Sequence, residues 1–226
     1  MVTVSTPALL DLYATRGQGK VIYNHLPAHY YGVDHEDSGR IGWPASLVSH
    51  PDDPSALGGA MARLCADPAA FQVIGDPTGC GAAFGLSRDP SGFLDPISLT
   101  EWPHKIADNI GIGIAPLADT RFNRCKSWLK PLELSALGIP WVASPREEYE
   151  RLHRKGAGVL ADTPRRWYRE LKRLQESPAL RAELSAAGRE VAEGYRLEPN
   201  AWRWLESWHG AYEREHARGR ARVVIA

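Results

Sequence analysis

Two lysines, a serine and a glutamate fall within eight residues of this chain: Lys126, Ser127, Lys130 and Glu133. They belong to the run Phe122-Asn-Arg-Cys-Lys-Ser-Trp-Leu-Lys-Pro-Leu-Glu-Leu-Ser-Ala-Leu-Gly-Ile-Pro-Trp-Val-Ala-Ser144. Ammonium groups and a hydroxyl beside the unpaired N–H groups that open a helix make an anion site, most simply for phosphate. A carboxylate next to a phosphate is out of place unless it accepts hydrogen bonds from a neutral polyol. A nucleoside diphosphate-sugar, with phosphates and ribose side by side, satisfies both halves. The competing reading makes Glu133 a capping carboxylate near the third helical position, at the positive end of the helix dipole. His50, just before Pro51-Asp52-Asp53, either faces the diphosphate or caps a helix opening near Ser55. His25, His29 and His35 have no helix to fix a ligand spacing, so they describe a polar linker rather than a metal site. No Asp-x-Asp pair stands at a strand end to hold a metal beside a diphosphate, and Asp52-Asp53 is placed to start a helix.

These residues need a scaffold that brings loops together. Pro131 suits a first helical turn, Gly138 ends that helix, Pro140 prevents its resumption, and Trp141-Val142-Ala143 makes a short strand. Apolar runs predict strands over 41–43, 71–75, 96–99, 111–115, 140–143 and 158–160. Helices are expected over 55–66, 103–109, 131–137, 146–154, 164–176, 178–193 and 199–217. This alternation predicts an α/β fold, a doubly wound parallel sheet covered on both faces. Ligands in such sheets bind outside the carboxyl ends of the strands, here the loops 44–54, 76–92, 100–104, 116–130 and 144–146. Trp204 and Trp208, four apart, are expected on one buried helical face, with Trp202 on another, better suited to an interface. The tail Arg218-Gly-Arg-Ala-Arg222 is short, basic and expected to fray.

Composition excludes several classes of function. At 226 residues and 24.9 kDa, with 43% hydrophobic residues, the chain can bury a full core. Lys+Arg and Asp+Glu balance at 27 each, which argues against nucleic acid or an anionic surface as a partner. No apolar run approaches the ~20 residues of a membrane span, and no signal sequence opens the chain. Cys65, Cys80 and Cys125 are odd in number and without zinc spacing, as expected of reduced thiols in a cytoplasmic protein.

The run 122–144 resembles the donor-binding signature of retaining glycosyltransferases of the GT-B fold, those related to family four (glycosyl transferases group 1). That signature carries two glutamates separated by seven residues. Glu133 matches the second, which in the family holds the ribose; the first falls on Cys125, leaving Asn123 or Lys126 to contact the transferred sugar. Pro116-Leu-Ala-Asp-Thr-Arg-Phe-Asn-Arg-Cys-Lys-Ser127 is similar to a bacterial and phage-encoded subset, and adds Asp119 and Thr120 to the implied donor-binding set. Ile41-Gly-Trp-Pro-Ala-Ser-Leu-Val-Ser-His-Pro-Asp-Asp53 resembles the opening of the donor domain, which implies Ser46 as a donor contact and His50 near the chemistry. Phe71-Gln-Val-Ile-Gly-Asp76 looks like its second strand, and the Glu101-Trp-Pro-His104 loop implies Trp102 at the base. Val2-Thr-Val-Ser-Thr-Pro-Ala-Leu-Leu10 and Tyr23-Asn24 resemble the last strand of the acceptor domain and the interdomain link.

The resemblance implies a sugar transferase whose Lys126 and Lys130 neutralise the departing diphosphate, with no cofactor and no metal. It divides the chain into 1–40, an acceptor-domain remnant and linker; 41–196, the nucleotide-sugar domain; and 197–226, a C-terminal helix and tail. Since it covers only the second half of such an enzyme, residues 1–20 are expected to lack a partner strand, and activity to need an acceptor domain from a partner chain or a homo-oligomer. Two alternatives remain. One is a non-catalytic or truncated sugar-nucleotide-binding module. The other is an NAD(P)- or flavin-dependent oxidoreductase, suggested by Phe71-Gln-Val-Ile-Gly-Asp-Pro-Thr-Gly-Cys-Gly-Ala-Ala-Phe-Gly85. The helix such a loop needs is broken by Ser87-Arg-Asp-Pro-Ser-Gly92, and no acidic strand end follows about 20 residues on.

Overall fold

A computed structural model describes residues 2–223, with side chains as far as His216. The seven strands are β1 (Val2–Val4), β2 (Gly19–Val21), β3 (Ile41–Trp43), β4 (Phe71–Val73), β5 (Ile112–Ala115), β6 (Trp141–Ala143) and β7 (Val159–Leu160). The helices are α1 (Pro7–Tyr13), α2 (Ala60–Leu64), α3 (Cys80–Phe84), α4 (Trp102–Asn109), α5 (Arg121–Arg124) and α6 (Leu129–Ala136). They continue as α7 (Glu147–His153), α8 (Pro164–Glu176), α9 (Pro178–Glu193), α10 (Leu197–Asn200) and α11 (Trp202–Val223).

Five strands form one parallel sheet in the order β4-β3-β5-β6-β7. Strand periodicity sends alternate side chains to opposite faces, and the two cores follow it. Ile112, Ile114 and Val142 join Leu57, Met61, Trp167 and Leu171 on one face. Trp141 and Ala143 join Ile106, Leu132, Leu134 and Leu152 on the other. The sheet is therefore doubly wound, as expected. Segment 96–99 is not a strand: the backbone N–H and hydroxyl of Ser98 both donate to Glu101, curling the chain into a turn before α4. The outer edge of β4 is taken instead by Ser91, whose carbonyl accepts from Val73 N at 2.8 Å.

Three other expectations are corrected. Val2–Val4 has a partner, pairing in parallel with β2 through the crossover helix α1. This small unit is tied to the rest by Thr6 Oγ1 donating to Cys125 O (3.0 Å), by Thr3 and Ser207 hydroxyls (3.2 Å), and by a Lys20–Glu206 ion pair. Segment 24–40 is structured: Leu26 N donates to Tyr195 O, Leu197 N donates to Leu26 O, and Tyr30 and Val33 are buried. Trp204 and Trp208 are 36% and 61% exposed, because α11 turns Ser207 rather than the tryptophans inward. The backbone of α11 runs on to Val223, whereas the side chains of the basic tail lie outside the described residues.

Gly113 sets the distance between sheet and α6. A Cβ there would lie 2.5 Å from Leu134 Cδ1, so only glycine lets α6 pack this closely on β5. Gly113→Ala should cost ~1–3 kcal/mol of stability by overpacking, read as a lower unfolding midpoint in urea. An unchanged midpoint would show that α6 shifts freely.

Candidate functional site

In the order β4-β3-β5-β6-β7, chain connections leave β3 and β5 toward opposite edges. The crevice between their carboxyl ends is the switch point at which doubly wound sheets bind ligands. The loops from β3 and β5 meet there on one buried carboxylate, Asp53. Its Oδ1 accepts from Ala118 N (2.9 Å) and Asn123 Nδ2 (2.6 Å), and its Oδ2 lies 2.5 Å from His50 Nδ1 and 3.4 Å from Lys126 Nζ. Burial alone would raise the Asp53 pKa, but the bonds from His50 and Ala118 and the Lys126 charge outweigh it and hold it below the ordinary value. Lys126 Nζ is also 2.9 Å from His50 Nδ1. That nitrogen cannot both donate to Asp53 and accept from Lys126, so the imidazole tautomer selects one of two hydrogen-bond patterns. Burial lowers the pKa of both His50 and Lys126.

A second group lies around α6. Helix α6 starts at Leu129, earlier than expected, so Glu133 is its fifth residue and not a cap. The Glu133 side chain is 7% exposed and accepts from the Tyr30 hydroxyl at 2.7 Å; Trp102 hydrogen-bonds it as well. Burial raises the Glu133 pKa, while Tyr30, Lys130 and Trp102 pull it back. Lys130 donates to Pro44 O at 3.0 Å, and close packing lowers its pKa in spite of the nearby Glu133. A cleft of about 310 Å³ opens beside it, at the ends of β3 and β4, where Ser46, Asp76, Trp102 and Lys130 line the walls.

The structure thus gathers His50, Asn123 and Lys126 around Asp53, and Lys130, Ser46 and Trp102 around the cleft, with Glu133 buried behind the lining and bonded to Trp102 and Tyr30. It separates the two ammonium groups by surroundings: Lys126 and Ser127 line a different groove, against Leu9 and Phe122. Ser127 accepts from Asn24 Nδ2 at 2.9 Å. Thr120 is the N-cap of α5, accepting from Asn123 N at 3.1 Å, and Asp119 is an exposed partner of Arg124. Neither turns toward the cleft lining. Asp53, Tyr30 and Asn24 were assigned to a helix start and a linker by sequence, where no periodic pattern marks them. The glycine-rich loop is closed on itself, since the Asp89 carboxylate accepts from Gly79 N (3.1 Å) and Gly81 N (2.7 Å). The N–H groups that would cradle a dinucleotide phosphate are already satisfied.

The chain matches no protein-family model and no curated protein. Among solved structures it is similar to HepE of Anabaena, in complex with UDP and glucose, with a TM-score of 0.68 and 15% identity over 92% of this chain and 62% of that one. Sucrose-phosphate synthase of Thermosynechococcus elongatus gives a TM-score of 0.66 and 14% identity over 94% of this chain and 58% of that one. The C-terminal domain of the group 1 glycosyl transferase LpcC of Francisella tularensis gives 0.53 and 13%, over 75% of this chain and 97% of that domain. The chain spans 62% and 58% of the length of the first two. These neighbours share the GT-B glycosyltransferase fold, and this chain has the α/β fold of its C-terminal half. Among the described residues no helix is long and apolar enough to cross a membrane.

Proposed function

We propose that this chain, with the fold of the C-terminal half of a GT-B glycosyltransferase, binds a nucleoside diphosphate-sugar in the cleft beside Lys130 and takes part in transfer of the sugar. The observation that carries the reading is the pairing, on one helix, of a half-buried ammonium and a buried carboxylate at the carboxyl ends of a parallel sheet. A diphosphate needs the first and a ribose diol the second. In this reading Glu133 accepts from the ribose hydroxyls, Trp102 meets the base, and Ser46 and Lys130 meet the phosphates. Lys130 stands where the leaving diphosphate gains charge, while Lys126 and His50 stay bound to Asp53 outside the cleft lining. Fixed positive charge at that point is the catalytic lever.

Calorimetric titration with UDP-, GDP- and dTDP-sugars and with NAD tests the reading. One of the sugar nucleotides should bind, and binding should survive EDTA, since the proposed diphosphate contacts are the Lys130 ammonium and the Ser46 hydroxyl. Binding of NAD alone, or loss in EDTA with rescue by manganese, would overturn it.

A second reading, a binding module that transfers sugar only with an acceptor-binding partner or a second copy, is favoured by α11. Trp204 (36% exposed) and Trp208 (61%), with ring centroids 6.2 Å apart, and Tyr212 (62%) one turn further on leave an aromatic stripe exposed along α11. Donor turnover by the lone chain separates the two: rapid transfer supports the first, and donor binding without turnover supports the second.

A further inference from the structure

A larger concavity than the one beside Lys130 lies elsewhere. A cleft of about 760 Å³ runs between the exit of β2, α7, α9 and the start of α11, and none of Lys126, Lys130 and Glu133 lines it. Its floor is a rigid aromatic stack. Tyr23 stacks on Trp128 with centroids 4.5 Å apart, Tyr195 meets the same indole edge-on at 4.8 Å, and Trp128 Nε1 is tied to Asn24 O. Three cations line the walls, Arg151, Lys155 and Arg203, against one carboxylate, Glu190.

The cations are held in place by local contacts. Arg151 lies over the Tyr23 ring at 5.5 Å, and Lys155 over Tyr195 at 5.3 Å. Arg203 Nε donates to Asn200 Oδ1 at 3.1 Å. Arg151 Nε is ion-paired with the buried Glu148 carboxylate at 3.4 Å, which fixes the guanidinium from behind.

We propose that this cleft is a second binding site, for a sugar phosphate. Three fixed cations in one concavity match a phosphate monoester dianion, which takes several charge-assisted bonds at once. Glu190 and the tyrosine hydroxyls offer the acceptors and donors a sugar ring needs, and the aromatic edges supply apolar contact for its C–H faces. His25 lines the same wall, and burial keeps its pKa below the ordinary value, so it adds a neutral donor or acceptor rather than further charge. The proposal is independent of the nucleotide reading.

Titration with glucose 6-phosphate, inorganic phosphate and glucose tests it, on the full chain and on Lys155→Glu, Arg203→Ala and Glu133→Ala. Glucose 6-phosphate should bind saturably, and both Lys155→Glu and Arg203→Ala should weaken it about tenfold or more, with Glu133→Ala leaving it unchanged. Weakening by Glu133→Ala would move the ligand to the other cleft and overturn the proposal. So would undiminished binding to Lys155→Glu and Arg203→Ala, equal affinity for inorganic phosphate, or no binding.

Discussion

Asp53→Asn should lower stability by about 3 kcal/mol at neutral pH, the order expected when one partner leaves a buried charged network. The carboxylate offers only acceptors, and all its neighbours are donors: Ala118 N and Asn123 Nδ2 on Oδ1, and His50 and Lys126 on Oδ2. An amide must turn its NH₂ toward one of those sides. Either the Ala118–Asn123 pair is broken or the lysine is left without its counter-charge. The pH dependence has a definite sign. Asp53 has a lowered folded pKa, so its contribution is present above the ordinary value of 3.8 and is lost as pH falls through the folded value. The gap between wild type and Asp53→Asn should therefore shrink under strong acid. His50 acts in the same sense over a higher range. Its lowered pKa means the unfolded chain takes up the proton first, so wild-type stability falls as pH drops below about 6.5. Urea unfolding across pH, with Asp53→Asn/Lys126→Met beside the single variant, checks the account. The double variant should recover part of the loss, because the unpaired ammonium is gone. Equal stability of Asp53→Asn and wild type at pH 7 would show that the loops from β3 and β5 do not depend on this carboxylate.

Sequence patterns gave the sheet because its strands are short apolar runs between helices with clear caps and stops. Helices α8 and α9 fall where expected, and the structure caps them with the Thr163 and Ser177 side chains. The site divides differently. Lys126, Lys130 and Glu133 were legible because they cluster within one motif. Asp53 was not, because its role depends on three donors from a segment more than sixty residues further along the chain. Tyr30 was hidden for the same reason: a tyrosine in an aperiodic segment says nothing about the carboxylate it will meet 103 positions away. The β1–β2 unit was missed because Gly19-Lys-Val21 is too short and mixed to show alternation, and parallel pairing of such a strand is fixed only by the packing of α1. The α11 tryptophans failed in the opposite direction. Their spacing is right for a buried face, but burial depends on what lies opposite, which periodicity does not report.

Glu133→Gln should weaken sugar-nucleotide binding by one to two decades while leaving the folded protein at least as stable as wild type. Gln keeps the volume and an acceptor for the Tyr30 hydroxyl, so packing against α6 survives, and the Trp102 bond it gives up, net about 0.5–1.5 kcal/mol, is set against the charge penalty it removes. What disappears is the negative charge that strengthens a bond to a ribose hydroxyl, worth ~1.5–3 kcal/mol or about one to two factors of ten in affinity. The stability sign follows from the raised Glu133 pKa, a net effect that already includes the attraction of Lys130. A carboxylate with a raised folded pKa is disfavoured as the ion, so the fold bears a penalty at neutral pH that the neutral amide removes. Below the ordinary value of 4.5 the wild-type side chain is protonated in both folded and unfolded chains, and the two proteins should converge. A buried, poorly compensated charge is what a binding site keeps and a merely structural site loses. Calorimetry with the sugar nucleotide that wild type binds and urea unfolding on the same pair of proteins measure both sides. If Gln lowers stability yet binds that nucleotide as wild type does, Glu133 serves the packing of Tyr30 and Trp102, and the ribose is held elsewhere.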